Sequence, residues 1–173
     1  MNEKNELAGE RPAVRILVIG YGNPGRRDDG LGPAFADRLE ALGLPGVTVE
    51  SDYQLSIEDA QLTARHDTVV FADAATDMEG DTPFYLRSIQ PAPDANCFSH
   101  DVSPQAVLYL SSHLFGASPG GWLLGIRPAD LDSFAEGLTP EAEANLVIAL
   151  RAFRAAIESG RLVPDKNSSS RAG

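Results

Sequence analysis

Short apolar runs rich in β-branched residues alternate along this chain with stretches whose hydrophobic positions recur every three or four residues. Val14 to Ile19 is apolar at nearly every position, the pattern of a strand buried on both faces. Pro33 to Leu44 places Phe35, Leu39 and Leu42 on one stripe and Gly43 near its end, which predicts a helix. Val47 to Glu50 reads as a second, short strand. Ser56-Ile-Glu-Asp opens a helix with a capping-type serine and early acids. Thr68 to Ala72 is a third continuous apolar run, and it ends at Asp73. Phe84 to Ile89 alternates more and carries Arg87, which suits a sheet edge. Ser103-Pro104 has the form of an N-cap followed by proline at the first helical position, with the helix running through Val107, Leu108 and Leu110. Gly121 to Ile126 is the last strand. Thr139-Pro-Glu-Ala-Glu starts a final helix that continues through Leu146, Ile148, Leu150, Phe153 and Ile157.

Strands alternating with helices predict an α/β fold, a three-layer αβα sandwich with a mostly parallel twisted sheet and right-handed crossovers. The length of 173 residues suits one domain. The expected organisation is a single catalytic domain over residues 13–160, between a flexible N-terminus (1–12) and a flexible Ser-rich tail (161–173). Ligands of such folds bind beyond the C-terminal ends of the strands.

Composition narrows the classes of partner. A formal net charge of -11 argues against nucleic acid, whose phosphates call for concentrated Lys and Arg. The single cysteine, Cys97, excludes an intramolecular disulfide and a Cys-rich zinc site. The first residues have no apolar core of signal-peptide type, and no run approaches a membrane span, so a cytoplasmic protein is expected. A monomer is the default expectation.

The strand-end rule makes a few polar residues interesting. Asp28 and Asp29 follow the first strand, Asp73 ends the third, and His100 lies on the loop before the Ser103 helix. Carboxylates and an imidazole meeting at one sheet edge would form a partial coordination set for a divalent metal such as nickel or zinc. Each residue alone has a plainer explanation: Asp28 or Asp73 as a cap or turn residue, His100 as a solvated loop histidine, His66 as a favourable charge at a helix C-terminus. Only convergence of the three segments distinguishes them. Cys97 has no recognisable activating context.

Gly20-Tyr-Gly22-Asn-Pro-Gly25 also fits G-x-G-x-x-G. A dinucleotide fingerprint needs a helix N-terminus soon after the third glycine, so that pyrophosphate meets free N–H groups. Here Arg-Arg-Asp-Asp-Gly intervenes, and it sets Asp29 near the expected position of the anion. A Rossmann-like nucleotide-dependent enzyme is the rival expectation.

In this context the chain resembles the hydrogenase maturation proteases. The resemblance spans about residues 14 to 158. It rests on Gly20-Tyr-Gly22-Asn23 with Arg27-Asp28-Asp29-Gly30-Leu-Gly32-Pro33, on Phe71-Ala-Asp73-Ala74, on Phe98-Ser-His100-Asp, on Leu124-Gly-Ile-Arg-Pro128 and on Leu138-Thr-Pro140. It implies an endopeptidase that removes the C-terminal extension of a nickel-loaded nickel-iron hydrogenase large-subunit precursor. It also implies a site of Asp29, Asp73 and His100, both catalytic and metal-binding. Gly22, Asn23 and Asp28 would shape the loop or contact substrate. The nickel would be supplied by the bound precursor, with no organic cofactor. A noncatalytic module that holds the nickel-loaded precursor is a further alternative. Two segments depart from the common family pattern: Pro24-Gly25-Arg26-Arg27 replaces a frequent hydrophobic pair, and Ser51-Asp52-Tyr53-Gln54-Leu55 replaces a frequent Asp-Gly-Gly or Asp-Gly-Thr.

Overall fold

Strands β1 (Ile16–Tyr21), β2 (Val47–Asp52), β3 (Thr68–Ala74), β4 (Phe84–Ile89) and β5 (Gly120–Ile126) form one sheet in the order β2-β1-β3-β5-β4. The computed structural model describes residues 14–94 and 102–162. β1, β2, β3 and β5 run parallel, and β4 closes the edge antiparallel to β5. The helices are α1 (Leu31–Ala41), α2 (Asp59–Thr63), α3 (Pro104–Phe115) and α4 (Pro140–Glu158). A 3-10 turn, Arg27–Gly30, leads directly into α1.

The apolar runs split into two alternating faces, each buried. Ile16 and Val18 of β1 pack with Phe35, Leu39, Leu146 and Phe153 under α1 and α4. Phe35 and Phe153 meet edge to face with ring centroids 5.3 Å apart. Leu17 and Ile19 pack on the opposite face with Val69, Phe71, Val107 and Leu108, under α2 and α3. The result is the three-layer α/β sandwich. The chain leaves β1 for β2 on one side and returns to β3 on the other, so the C-terminal ends of β1 and β3 flank the topological switch point, where open α/β sheets bind ligands.

Element boundaries shift for physical reasons. β1 begins at Ile16 rather than Val14, because pairing starts where Val47 and Thr68 are both available, and it extends to Tyr21. α1 begins at Leu31, which puts Pro33 in the first turn, where no intrahelical N–H is required. At Ser56, the N–H (2.7 Å) and the hydroxyl (3.2 Å) both donate to Asp59 Oδ2, and helix begins only at Asp59. The other two helix starts follow their caps: Ser103 Oγ accepts from Ala106 N–H (3.1 Å), and Thr139 Oγ1 from Ala142 N–H (3.2 Å). Residues 1–12 and almost all of the 161–173 tail, expected to be flexible, lie outside the described residues, as do Cys97 and His100. Among the described residues, no helix is long and apolar enough to cross a membrane.

Candidate active site

β1 runs into a turn whose glycines serve the close approach of chain to chain. Gly22 has φ +139, and a methyl group there would strike the Asp29 carbonyl. A methyl on Gly32 would strike the backbone of both Tyr21 and Ala72, so the first turn of α1 sits directly on the ends of β1 and β3. The N–H groups of this turn are all engaged. Gly22 donates to Asp52 O (3.2 Å), Arg26 to Asn23 O (3.0 Å), Arg27 to Ala135 O (2.8 Å), Asp28 to Asp130 O (3.2 Å) and Asp29 to Arg26 O (3.1 Å). Asn23 N–H donates to Asp29 Oδ2 (3.1 Å), and Gly25 N–H to Asn23 Oδ1 (2.8 Å). A phosphate cradle needs such donors free, and a carboxylate already holds one of them.

The two adjacent acids face different surroundings. A 3-10 turn has about 3.0 residues per turn, so consecutive side chains diverge by a third of a revolution. Asp28 is fully buried. Its carboxylate accepts from the N–H groups of Ala129 (2.7 Å), Asp130 (2.8 Å) and Thr139 (2.7 Å), and from the Thr139 hydroxyl (2.8 Å). Burial disfavours its charge, but these bonds outweigh burial and hold the carboxyl below its ordinary range. Asp28 therefore ties the loop after β1 to the segment after β5 and to the start of α4. The N-cap of α1 is Gly30, with no side-chain cap. Asp29 is half-buried, and its charge acts on Asp73.

Asp73 projects from β3 on the α2/α3 face, one step of alternation beyond Phe71. Tyr21 stands two residues beyond Ile19 on β1, the partner of Phe71, so phenol and carboxylate are neighbours across the sheet. The Ala74 N–H donates to Asp73 Oδ1 (2.7 Å). On the other side Asp73 faces Gly125, which in turn faces Tyr85. The Tyr85 ring occupies the space that a Gly125 side chain would need, and its hydroxyl donates to Asp77 (3.0 Å). Tyr21, Asp73, Tyr85, Gln105, Leu123 and Gly125 line a cleft of about 310 Å³. Burial pushes the Asp73 carboxyl up to about 6; the Ala74 N–H and the Tyr21 hydroxyl pull it down, and the Asp29 charge adds a smaller upward push. A half-buried carboxyl in a cleft, tuned toward neutrality beside a second acid, can take or hold a proton at working pH.

The same fold occurs in proteins of known activity. The hydrogenase maturating endopeptidase HybD from E. coli superposes with a TM-score of 0.62 at 27% identity, over 84% of this chain and 94% of that one. An endopeptidase from Escherichia coli, known from a solution structure, gives a TM-score of 0.62 at 27% identity, over 89% and 99% of the two chains. The chain has the fold of the hydrogenase maturation proteases. A nickel-iron hydrogenase maturation protease, HycI from Thermococcus kodakarensis, matches with a TM-score of 0.65 over 84% and 93% of the chains; at 22% identity it bears on the fold alone. No family model matches the chain, and no curated protein matches it in sequence.

Within this maturation-protease fold, the Asp29 charge is near enough to push the Asp73 carboxyl slightly upward, and His100 lies outside the described residues. Among the described residues, no group of three His, Cys, Asp or Glu side chains is assembled that could hold a metal ion. Pro104 and Gln105, just downstream of His100 in sequence, line the same cleft as Asp73. The other histidines are elsewhere: His66 contacts Leu62 O (2.9 Å) and Thr48 Oγ1 (3.0 Å), and His113 stacks on Tyr109. Asn23 shapes the loop through Oδ1, which also accepts from the Tyr53 hydroxyl (2.6 Å). Sequence reasoning missed Tyr21 and Tyr53. The period-two series Leu17, Ile19, Tyr21 carries the signal for the first once β1 is extended to Tyr21. Nothing local marks the second.

Proposed function

We propose that this chain is an endopeptidase that removes the C-terminal extension of a nickel-loaded nickel-iron hydrogenase large-subunit precursor, completing its maturation. What supports this is a fold shared with an E. coli hydrogenase maturating endopeptidase, with Asp73 at the end of β3 and Asp29 on the turn after β1, on the two sides of the switch point. Nickel belongs to the substrate and arrives with it. Asp29, Asp73 and His100 are the residues assigned to receive it, and two carboxylates with an imidazole suit a borderline divalent ion. Such an ion polarises a carbonyl or acidifies a bound water.

The chain's own groups do the rest. Asp73, with its carboxyl near 6, accepts a proton at neutral pH, and Asp29 supplies the second negative charge facing the incoming cation. Gly22 and Asn23 hold the loop that presents Asp29, and Asp28 anchors that loop to the rest of the fold. The partner is the precursor protein. No nucleic acid and no organic cofactor is assigned, and the chain is taken to act as a monomer in the cytoplasm.

Purified protein incubated with nickel-charged precursor should release a C-terminal peptide detectable by mass spectrometry, and nickel-free precursor should stay intact. Binding of charged precursor without peptide release would reduce the chain to a noncatalytic holder.

A further inference from the structure

We infer, resting on the peptidase reading, that the Phe134 ring, braced by Arg26, is a docking anchor for the precursor. It enters an apolar pocket on the folded body of that protein and sets the precursor's position relative to Asp29. Phe134 lies on the segment between β5 and α4, at the sheet edge that also carries Asp29 and Asp73. It is 82% exposed, the most exposed of the large apolar side chains among the described residues. The ring therefore adds almost nothing to the core, and folding alone gives no reason for it. Isolated apolar side chains are common on protein surfaces and carry no meaning by themselves. What sets Phe134 apart is the bonding on both sides of it.

Upstream, Asp130 Oδ1 accepts from Asp132 N–H and Ser133 N–H, both at 3.0 Å, which closes a turn ending at the residue before the ring. Downstream, Ala135 O accepts from Arg27 N–H (2.8 Å). Arg27 is a non-glycine residue at positive φ (+48), so the backbone accepts strain at the point of this tie. The Arg26 guanidinium lies over the ring itself, 5.1 Å from its centroid. Its Nη2 donates to Leu131 O (3.3 Å), while Nε is shut off from solvent without a hydrogen-bond partner among the described residues. The guanidinium has thus given up water on that nitrogen to lie on the loop. An exposed ring fixed in this way has already lost the freedom that binding would otherwise remove. Aromatic and arginine side chains are enriched at protein interfaces. The Arg27 tie and the bonds of Asp28 to Ala129 and Asp130 hold the ring in register with the turn of Asp29. A partner seated on Phe134 is therefore placed against Asp29 as well, which is the requirement for a precursor that brings nickel to that residue.

The test compares wild type with Phe134→Ala on nickel-charged precursor. KM should rise about 10- to 30-fold while kcat at saturation changes less than about twofold. The midpoint of urea unfolding should not move, since so exposed a ring contributes little to the fold. A kcat that falls while KM holds would mean that the ring only steadies the turn of Asp29, and overturns the inference. Wild-type kinetics in Phe134→Ala overturn it too. Binding of nickel-charged precursor, followed by surface plasmon resonance, separates this inference from the peptidase reading. If wild type binds precursor and releases no peptide, the peptidase reading fails, and a Kd weakened about 10- to 30-fold by Phe134→Ala still upholds the anchor. If wild type neither binds nor cuts precursor, both fail. A wild-type dimer in sedimentation that Phe134→Ala converts to monomer would give the ring to a second copy of this chain, and likewise overturns the inference.

Discussion

Replacing Asp28 by Ala removes the acceptor for three backbone N–H groups and one hydroxyl. Hydrogen bonds to a charged group contribute about 1.5–3 kcal/mol each, and stranded buried donors cost about 1–3 kcal/mol. Asp28→Ala should therefore lose at least about 3 kcal/mol in urea unfolding. The Asp28 carboxyl lies below its ordinary range. Its contribution is thus full above the unfolded pKa of about 3.9 and disappears as pH falls through the lower folded value. Asp29→Asn keeps an acceptor for the Asn23 N–H, so stability should change by less than about 1 kcal/mol while precursor accumulates uncut. Wild-type processing by that variant would remove Asp29 from the site. Asp73 has the opposite sign. Its folded carboxyl is near 6, above the unfolded value, so a penalty is absent at low pH, grows as pH rises toward 6, and is complete above it. Asp73→Asn should be more stable than wild type at pH 8, by up to about 3 kcal/mol, and show no gain at pH 4. Thermal melts at the two pH values check this. Equal melting at pH 8 would mean that Asp73 is well solvated.

At the scale of elements, the strands were legible because a buried parallel strand needs an unbroken apolar run, and β1 and β3 supply one. The starts of α3 and α4 were legible because a cap is local chemistry: Ser103-Pro104 and Thr139-Pro140 carry it in adjacent residues. The start of α2 was not, because the Ser56–Asp59 bonds close a turn that helix follows and does not include. Nor was the seating of α1, which depends on the ends of two strands distant in sequence. That seating yields a prediction. A side chain at Gly32 meets backbone of Tyr21 and Ala72, which cannot rotate aside, so Gly32→Ala must lift α1 off the sheet. A loss of at least about 3 kcal/mol in urea unfolding, or failure to fold, is expected. Gly43, at positive φ and facing open space, sets the scale for conformational strain alone, and Gly43→Ala should cost only about 1 kcal/mol.

Across the whole molecule, the placing of Asp29 on the turn after β1 and of Asp73 at the end of β3 was legible, because strand-end residues of an open parallel sheet share one edge. The partners of Asp28 were not, since Ala129, Asp130 and Thr139 lie about a hundred residues downstream and no local pattern encodes that contact. The same long-range contacts decide the rival reading of the glycine turn. Arg27 and Asp28 N–H groups, which a dinucleotide site would hold open, donate to Ala135 and Asp130 carbonyls from the segment after β5. The Asp29 carboxylate occupies the Asn23 N–H, and the chain as a whole carries a formal charge of -11. Phosphate would thus have to displace existing bonds and approach a like charge. Bound at a hundred times its Kd, a ligand stabilises a fold by about 2.7 kcal/mol. For a chain of this size that shifts the melting midpoint by roughly 5–10 °C. Addition of 1 mM NAD, NADP or ATP should leave the midpoint where it is. A rise of several degrees with any of them would require that the turn opens, that the segment after β5 moves away, and that the glycines serve a nucleotide after all.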